Sequence, residues 1–281
     1  MSAAHLRAIA EIDVTQPLPA DQLKSTLVNP PFIYVPGTFN TRDLGLVPSS
    51  SGTSNFRKGY AYRSGALVGL AADGQALLAG KLGVKKIFDL RSVREHAQGP
   101  DPVIDGIQNV WRETTEKDAV VELADFIEGH GEKGYVKIYL DVLKIYQPSF
   151  KDVLEHVRDN PQEPFLFHCT AGRDRSGVLA GMLLALAGVD ADTVSLDFML
   201  SRVGTEPARE QLLAFARKGS GAETDDAPGF YNLCNLRTAC WNAFLDAVDR
   251  EYGGFDGYVT KTLGFTHQDL AIIKKNLAMP N

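Results

Sequence analysis

A cysteine stands six positions before an arginine in Phe165-Leu166-Phe167-His168-Cys169-Thr170-Ala171-Gly172-Arg173-Asp174-Arg175-Ser176-Gly177, between an apolar run that reads as a strand and one that reads as a helix. The residues from Thr170 to Asp174 are enough to wrap a tetrahedral phosphate, because a run of backbone N–H groups at a helix N-terminus forms an anion cradle. Gly172 permits the tight turn. Arg175 offers a planar fork of donors to phosphoryl oxygens, a shape that the point charge of a lysine does not match. The same N–H groups and the helix dipole favour a thiolate, the nucleophilic form of cysteine. These residue types describe attack of Cys169 on a bound phosphate ester.

The bare spacing of Cys and Arg arises by chance in many chains, so its surroundings carry the reading. Phe165, Leu166 and Phe167 follow Pro164 as a short buried strand, and residues 178–187 form an apolar helix stopped by Gly188. A structural cysteine needs no Gly-Arg-Asp-Arg turn. The chain of 281 residues, 44% apolar and 23% charged, is long enough for a full core, and it shows no internal repeat. A net charge of −6 argues against general affinity for nucleic acid or acidic membranes, so any attraction for phosphate has to be local. Cys169, Cys234 and Cys240 are too few and too unevenly placed for a disulfide framework or a zinc site, which fits a reducing compartment. No apolar run reaches the length of a membrane span and the N-terminus lacks a hydrophobic signal core, so a cytoplasmic protein is expected.

The elements around the loop follow from periodicity. Residues 1–31 read as an N-terminal arm with helices near 3–12 and 20–27, closed by Asn29-Pro30-Pro31. Residues 32–35 and 60–63 read as strands of a hairpin with a loose loop over 46–57, and 84–90 and 107–111 as further strands. Helical patterns run over 73–80, 120–128, 135–145, 150–160, 191–201, 208–217, 236–252, 256–262 and 267–277, and 219–229 reads as an exposed loop. Alternation of this kind predicts an α/β fold with a central, mostly parallel sheet flanked by helices. Residues 32–281 then form one domain with a helical elaboration over about 190–281.

With these motifs in place the chain resembles the bacterial and fungal tyrosine/serine protein phosphatases of the cysteine phosphatase superfamily, whose loop resembles His-Cys-x-x-Gly-Lys-Asp-Arg-Thr-Gly. The likeness extends to Phe39-Asn40-Thr41-Arg42-Asp43-Leu44-Gly45, Tyr62-Arg63-Ser64-Gly65-Ala66-Leu67, Phe88-Asp89-Leu90-Arg91-Ser92 with Glu95, Glu251-Tyr252-Gly253-Gly254-Phe255 and Leu263-Gly264-Phe265. Two positions depart from the pattern. Arg173 replaces the usual lysine, keeping charge but changing shape, and Ser176 replaces threonine, keeping a hydroxyl for the cysteine sulfur.

The resemblance implies a metal-independent, cofactor-free phosphatase of protein-tyrosine-phosphatase type that works through a cysteinyl-phosphate. Its phosphate would be cradled by Thr170, Ala171, Gly172, Arg173, Asp174 and Arg175. Asp174 is the first choice of general acid, because an acidic residue beside bound phosphate is otherwise unfavourable; Asp89 comes second and Asp101, in the Gly-Pro-Asp-Pro turn, third. His168 is expected to order the loop rather than act as a base. Arg42 and Asp43 are expected to brace the site as a buried ion pair, while Arg63 and Arg91 read equally as braces or as substrate contacts. The expected substrate is phosphotyrosine in a protein or peptide, with phosphoserine and phosphothreonine admitted if the cleft is shallow. A phosphoinositide or a small phosphate ester is the alternative, favoured by the extra cation at Arg173. A non-catalytic phosphate-binding adaptor and a rhodanese-type sulfurtransferase fit the loop less well. Whether Cys234 or Cys240 protects Cys169 as a disulfide stays open at this level.

Overall fold

The computed structural model describes residues 1–49, 54–114 and 120–279. Two short helices, α1 (Ala3–Ala10) and α2 (Ala20–Leu27), precede the edge strand β1 (Arg42–Asp43) and β2 (Ala61–Ser64). There follow α3 (Ala72–Ala76), β3 (Lys86–Asp89), α4 (Val93–Gln98) and β4 (Gln108–Trp111). After α5 (Glu132–Ile145) and α6 (Gln147–Asp159) comes β5 (Phe165–His168), which leads into α7 (Arg175–Leu186). The remainder is helical: α8 (Ala191–Gly204), α9 (Arg209–Ser220), α10 (Phe230–Cys234), α11 (Thr238–Tyr252), α12 (Gly254–Gly257) and α13 (His267–Leu277).

The sheet order is β1-β2-β5-β3-β4, parallel throughout except for the antiparallel β1–β2 pair. The expected α/β class and mostly parallel sheet are therefore present. β5 lies at the centre, in register with Ser64 and Asp89 at His168, so all three strands end level beneath the loop that follows. A ligand site at the carboxyl ends of parallel strands follows from that geometry.

Alternation along the strands divides the core. Phe165, Phe167 and Phe88 face the helical side, where α7 is buried over nearly its whole length, and Leu166, Ile87 and Tyr62 face a thinner layer with Leu67, Leu70 and Leu78. A helix apolar all round belongs in such a core, and α7 holds the loop rigidly at its N-terminus. Among the described residues no helix is long and apolar enough to cross a membrane.

Two local expectations change. The partner of β2 is Arg42–Asp43, not residues 32–35; Phe32 makes only an isolated bridge to Arg42. The Phe32 amide is taken by the Asn29 carbonyl and Pro36 has no N–H to give, so that apolar run cannot continue a ladder. Of the helix expected over 120–128, only a 3-10 turn at Leu123–Phe126 forms. Part of the loop expected over 46–57 lies outside the described residues.

Candidate active site

The turn between β5 and α7 is held from outside by its carbonyl groups. His168 Nδ1 donates to Cys169 O (3.3 Å), and the Ala66 amide donates to Thr170 O (3.0 Å). Asn40 Nδ2 donates to Ala171 O (3.1 Å) and Gly172 O (2.9 Å), and Arg63 Nη2 donates to Gly172 O (2.8 Å) and Arg173 O (3.2 Å). A peptide N–H points opposite to the carbonyl of the same plane. Pinning five successive carbonyls outward therefore turns the N–H groups of Thr170 through Asp174 inward, as an anion cradle requires. Gly172 has φ +63°, and a Cβ there would come within 2.3 Å of Ser64 O, so the turn excludes any side chain.

Asn40 and Arg63 are anchored in turn by α8. Asp197 receives Arg42 Nε at 2.7 Å and Arg63 Nη1 at 2.5 Å, and Arg42 also donates to Asn40 Oδ1 (2.5 Å) and Ser201 Oγ (2.9 Å). Burial pushes the Asp197 carboxyl up, but the two guanidinium groups outweigh it and hold it below the usual carboxylate range. Two buried arginines against one carboxylate leave positive charge directly behind the cradle. Gly204 completes this face of α8, since a Cβ there would meet Asn40 Oδ1 at 2.0 Å.

The expected Arg42–Asp43 ion pair does not form. Arg42 is spent on Asp197 and Asn40, while Asp43 accepts the amides of Gly45 (2.8 Å) and Gly59 (2.7 Å). Desolvation raises its carboxyl to about 6 against those bonds.

A second network lies on the β3 side. Asp89 takes Arg91 through both oxygens (2.9 and 2.8 Å) and His96 Nδ1 (2.8 Å), while Asp101 takes Arg91 Nη2 (2.9 Å) and His168 Nε2 (2.7 Å). Burial raises the Asp89 carboxyl, but the Arg91 bonds and the nearby His168 and His96 bring it down to about 2. Both ring nitrogens of His168 face oxygens that ordinarily only accept, which needs a proton on each nitrogen or on the Asp101 carboxyl. Asp89, Asp101 and His168 bring ligand atoms within 4.8 Å of one another, but Arg91 already bridges the two carboxylates. Asp89 and Asp101 do not line the cleft that contains Cys169. They hold Arg91 and His168 in place.

That cleft, about 310 Å³, is lined by Cys169, itself 2% exposed, and by Thr170, Ala171, Asp174 and Arg175. Arg175 donates to Glu95 through Nη1 (2.5 Å) and Nη2 (2.8 Å) and lies over the Tyr146 ring, 5.6 Å from its centroid. Glu95 also accepts the Thr170 hydroxyl and caps α4 through the Ser92 amide (2.9 Å). Burial pushes the Glu95 carboxyl up, yet Arg175, Thr170 and the Ser92 amide hold it at about 2. Asp174 receives Tyr139 OH (2.9 Å) and Arg173 Nε (3.1 Å), keeps 32% side-chain exposure and lines the cleft. Arg173 also lines the cleft, and its Nη1 and Nη2 donate to Cys234 O (3.2 Å) and Leu233 O (3.0 Å). Ser176 Oγ is buried without a nitrogen or oxygen partner among the described residues. The Cys234 and Cys240 thiols are raised by burial to about 11 and about 12.

Sequence reading missed Asp197, Tyr139 and Tyr146 as site residues and met Asn40 and Glu95 only within the resemblance. A signal existed for α8: Asp197, Ser201 and Gly204 follow at helical spacing in a pattern otherwise dominated by apolar residues.

The geometry agrees with what the chain is similar to. Residues 33–279 match the family model described as "Tyrosine phosphatase family". A tyrosine-protein phosphatase of Nostoc commune is 34% identical over 212 residues, 73% of this chain and 69% of that one. The triple specificity protein phosphatase PtpB of Mycobacterium tuberculosis is 24% identical over 265 residues, 80% of this chain and 91% of its own. Among solved structures, the core catalytic domain of the PP-IP phosphatase SIW14 from S. cerevisiae aligns with a TM-score of 0.32 at 16% identity, over 60% of this chain and 94% of that chain, too slight a likeness to bear on function.

Proposed function

The chain belongs to the tyrosine phosphatase family and is a phosphoric monoester hydrolase; from that premise we propose that it dephosphorylates phosphotyrosine through a cysteinyl-phosphate, with phosphoserine and phosphothreonine as lesser substrates. The observation that carries this reading is the recessed nucleophile. Cys169, 2% exposed, lines a cleft of about 310 Å³ together with Tyr139, Tyr146, Ile138 and Val142, aromatic and apolar side chains that suit a tyrosyl ring.

In the first step the Cys169 thiolate attacks phosphorus, the phosphorus–oxygen bond to the leaving group breaks, and Asp174 delivers the proton that the departing oxygen needs. In the second step water, giving its proton back to Asp174, displaces the sulfur as thiolate and releases inorganic phosphate. Arg175 and the inward N–H groups meet the charge on the three equatorial oxygens. Ser176 Oγ, otherwise unpartnered, is available to the departing sulfur. These steps draw on no metal or cofactor.

The name of the Mycobacterium tuberculosis relative supports breadth of substrate. A phosphoinositide or small-ester preference rested on the extra cation at Arg173, and that guanidinium is engaged by main-chain carbonyls and Asp174. The test is phosphate release in the presence of chelator from phosphotyrosine, phosphoserine and phosphothreonine peptides and a phosphoinositide, with Cys169→Ser as control. Fastest turnover of the phosphotyrosine peptide, abolished in the variant, supports the reading. Faster turnover of the phosphoinositide overturns the substrate, and turnover that survives in the variant overturns the mechanism.

A further inference from the structure

The family match begins at residue 33, yet Val14 lines the same cleft as Cys169. Around it, residues 12–18 are fastened main chain first. Arg202, 4% exposed, donates to the carbonyls of Ile12 (3.1 Å) and Gln16 (2.8 Å) and pairs with Glu206, which accepts the Leu18 amide (2.7 Å). Arg209 Nη2 donates to Val14 O (2.6 Å), and Asn235 Oδ1 accepts the Val14 amide (2.9 Å). Asp13 is held by Asn235 Nδ2 (2.9 Å) and Arg237 Nη2 (2.8 Å). A guanidinium as buried as that of Arg202 is costly unless its donors are satisfied, and here the arm's carbonyls and Glu206 satisfy them.

The anchors Arg202, Glu206, Arg209 and Asn235 come from α8, from the 3-10 turn that follows it, from α9 and from the end of α10. α9 carries Leu212, Leu213, Phe215 and Ala216 into the cleft wall. Besides the arm, α9 packs chiefly on α10 and the 3-10 turn Glu206–Ala208, and of its own residues only Leu213 is buried. Val14 and Leu213 belong to one apolar cluster with Phe230 and Cys234.

We propose that residues 12–18 are a specificity element of the active site: Val14 supplies part of an apolar wall that receives the leaving group of the phosphate ester, and the arm fixes α9 as the remainder of that wall. The substrate class is an ester whose leaving group is apolar and larger than a single ring, such as a phosphotyrosine flanked by apolar side chains. This rests on the phosphomonoesterase reading above, and it deepens that reading.

Phenyl and 2-naphthyl phosphate, whose leaving groups have similar acidity, measure the wall directly. The intact protein should favour the naphthyl ester in kcat/KM. Val14→Ala should lower the naphthyl-to-phenyl ratio about three- to tenfold, the loss expected for removing methyl groups from an apolar contact. Asp13→Ala removes the arm's side-chain anchor without touching the cleft lining. It should quicken amide exchange over Arg209–Ser220 and lower the same ratio, and it carries the test if Val14→Ala does not fold. An unchanged ratio in the folded variants, or α9 exchange unaltered by Asp13→Ala, overturns the proposal. Absence of turnover on both esters in the intact protein would instead count against the phosphatase reading.

Discussion

Glu95 grips Arg175 through both carboxylate oxygens while Thr170 donates its hydroxyl to the same carboxylate. The pair fixes the plane of the guanidinium before any phosphate arrives, and a fork that is already oriented loses less freedom on binding.

Replacing Glu95 by Gln keeps the shape and removes the charge. kcat/KM toward an aryl phosphate should fall about tenfold or more, as expected for one charge-assisted contact worth roughly 1.5–3 kcal/mol. The Glu95 carboxyl is held at about 2 against an ordinary 4.5, so it stabilises the fold above its unfolded value, and that contribution is lost as pH falls from 4.5 toward 2. Urea midpoints at pH 7 and pH 3 should therefore differ more in the intact protein than in Glu95→Gln. Equal differences would show that the pair does not stabilise the fold.

Among the described residues, Asp174 is the only carboxylate besides Glu95 and Glu206 that lines the cleft, and those two are bound to Arg175 and Arg202. Asp174→Asn should cost about 10²–10⁴ in kcat/KM on phenyl phosphate, whose leaving oxygen needs a proton, and far less on p-nitrophenyl phosphate, whose oxygen does not. A uniform loss on both esters would assign Asp174 to holding Arg173 and Tyr139 in place.

Legibility from sequence followed how local each cause was. The central strand and its loop could be read because Pro164, three apolar residues, Gly172 and the apolar α7 lie side by side in the chain. The brace behind the loop could not, because Asn40, Arg63 and Asp197 meet only after β1, β2 and α8 have packed. An isolated acid in an apolar helix pattern looks like a solvent-facing position until its partners are known. Arg42 and Asp43 suggested a pair by adjacency, but neighbours on a strand point to opposite faces, so one met α8 and the other met the Gly45 and Gly59 amides. Residues 12–18 show no catalytic chemistry in sequence, since they are held through their main chain and the Asp13 carboxylate.

The brace predicts a separation of stability from rate. Asp197→Ala strands two buried guanidinium groups and should cost on the order of 3–5 kcal/mol in stability. Arg63→Lys keeps a cation near Asp197 but cannot serve Asp197, Gly172 O and Arg173 O together. It should leave the protein folded and lower kcat about 10–100-fold with little change in KM, because the inward N–H groups meet charge that grows in the transition state. Thermal unfolding beside steady-state kinetics separates the two outcomes. A Lys variant with unchanged kcat would mean that Asn40 alone sets the loop.

Asp43 predicts a pH dependence of opposite sign from that of Glu95. It is 3% exposed and bound by two amides, and desolvation raises its carboxyl from 3.8 to about 6. A carboxyl raised on folding binds its proton more tightly in the native state, so its contribution is fully present below 3.8 and is lost as pH rises through about 6. The shift corresponds to about 2–3 kcal/mol at most. Asp43→Asn cannot ionise and should flatten the fall in stability between pH 4 and 6.5, although its amide nitrogen now faces one of the two N–H groups and lowers stability at every pH. Urea unfolding of both proteins across that window reads the difference in slope. Parallel curves would mean that Lys58 or solvent relieves the buried charge and that Asp43 ionises without cost.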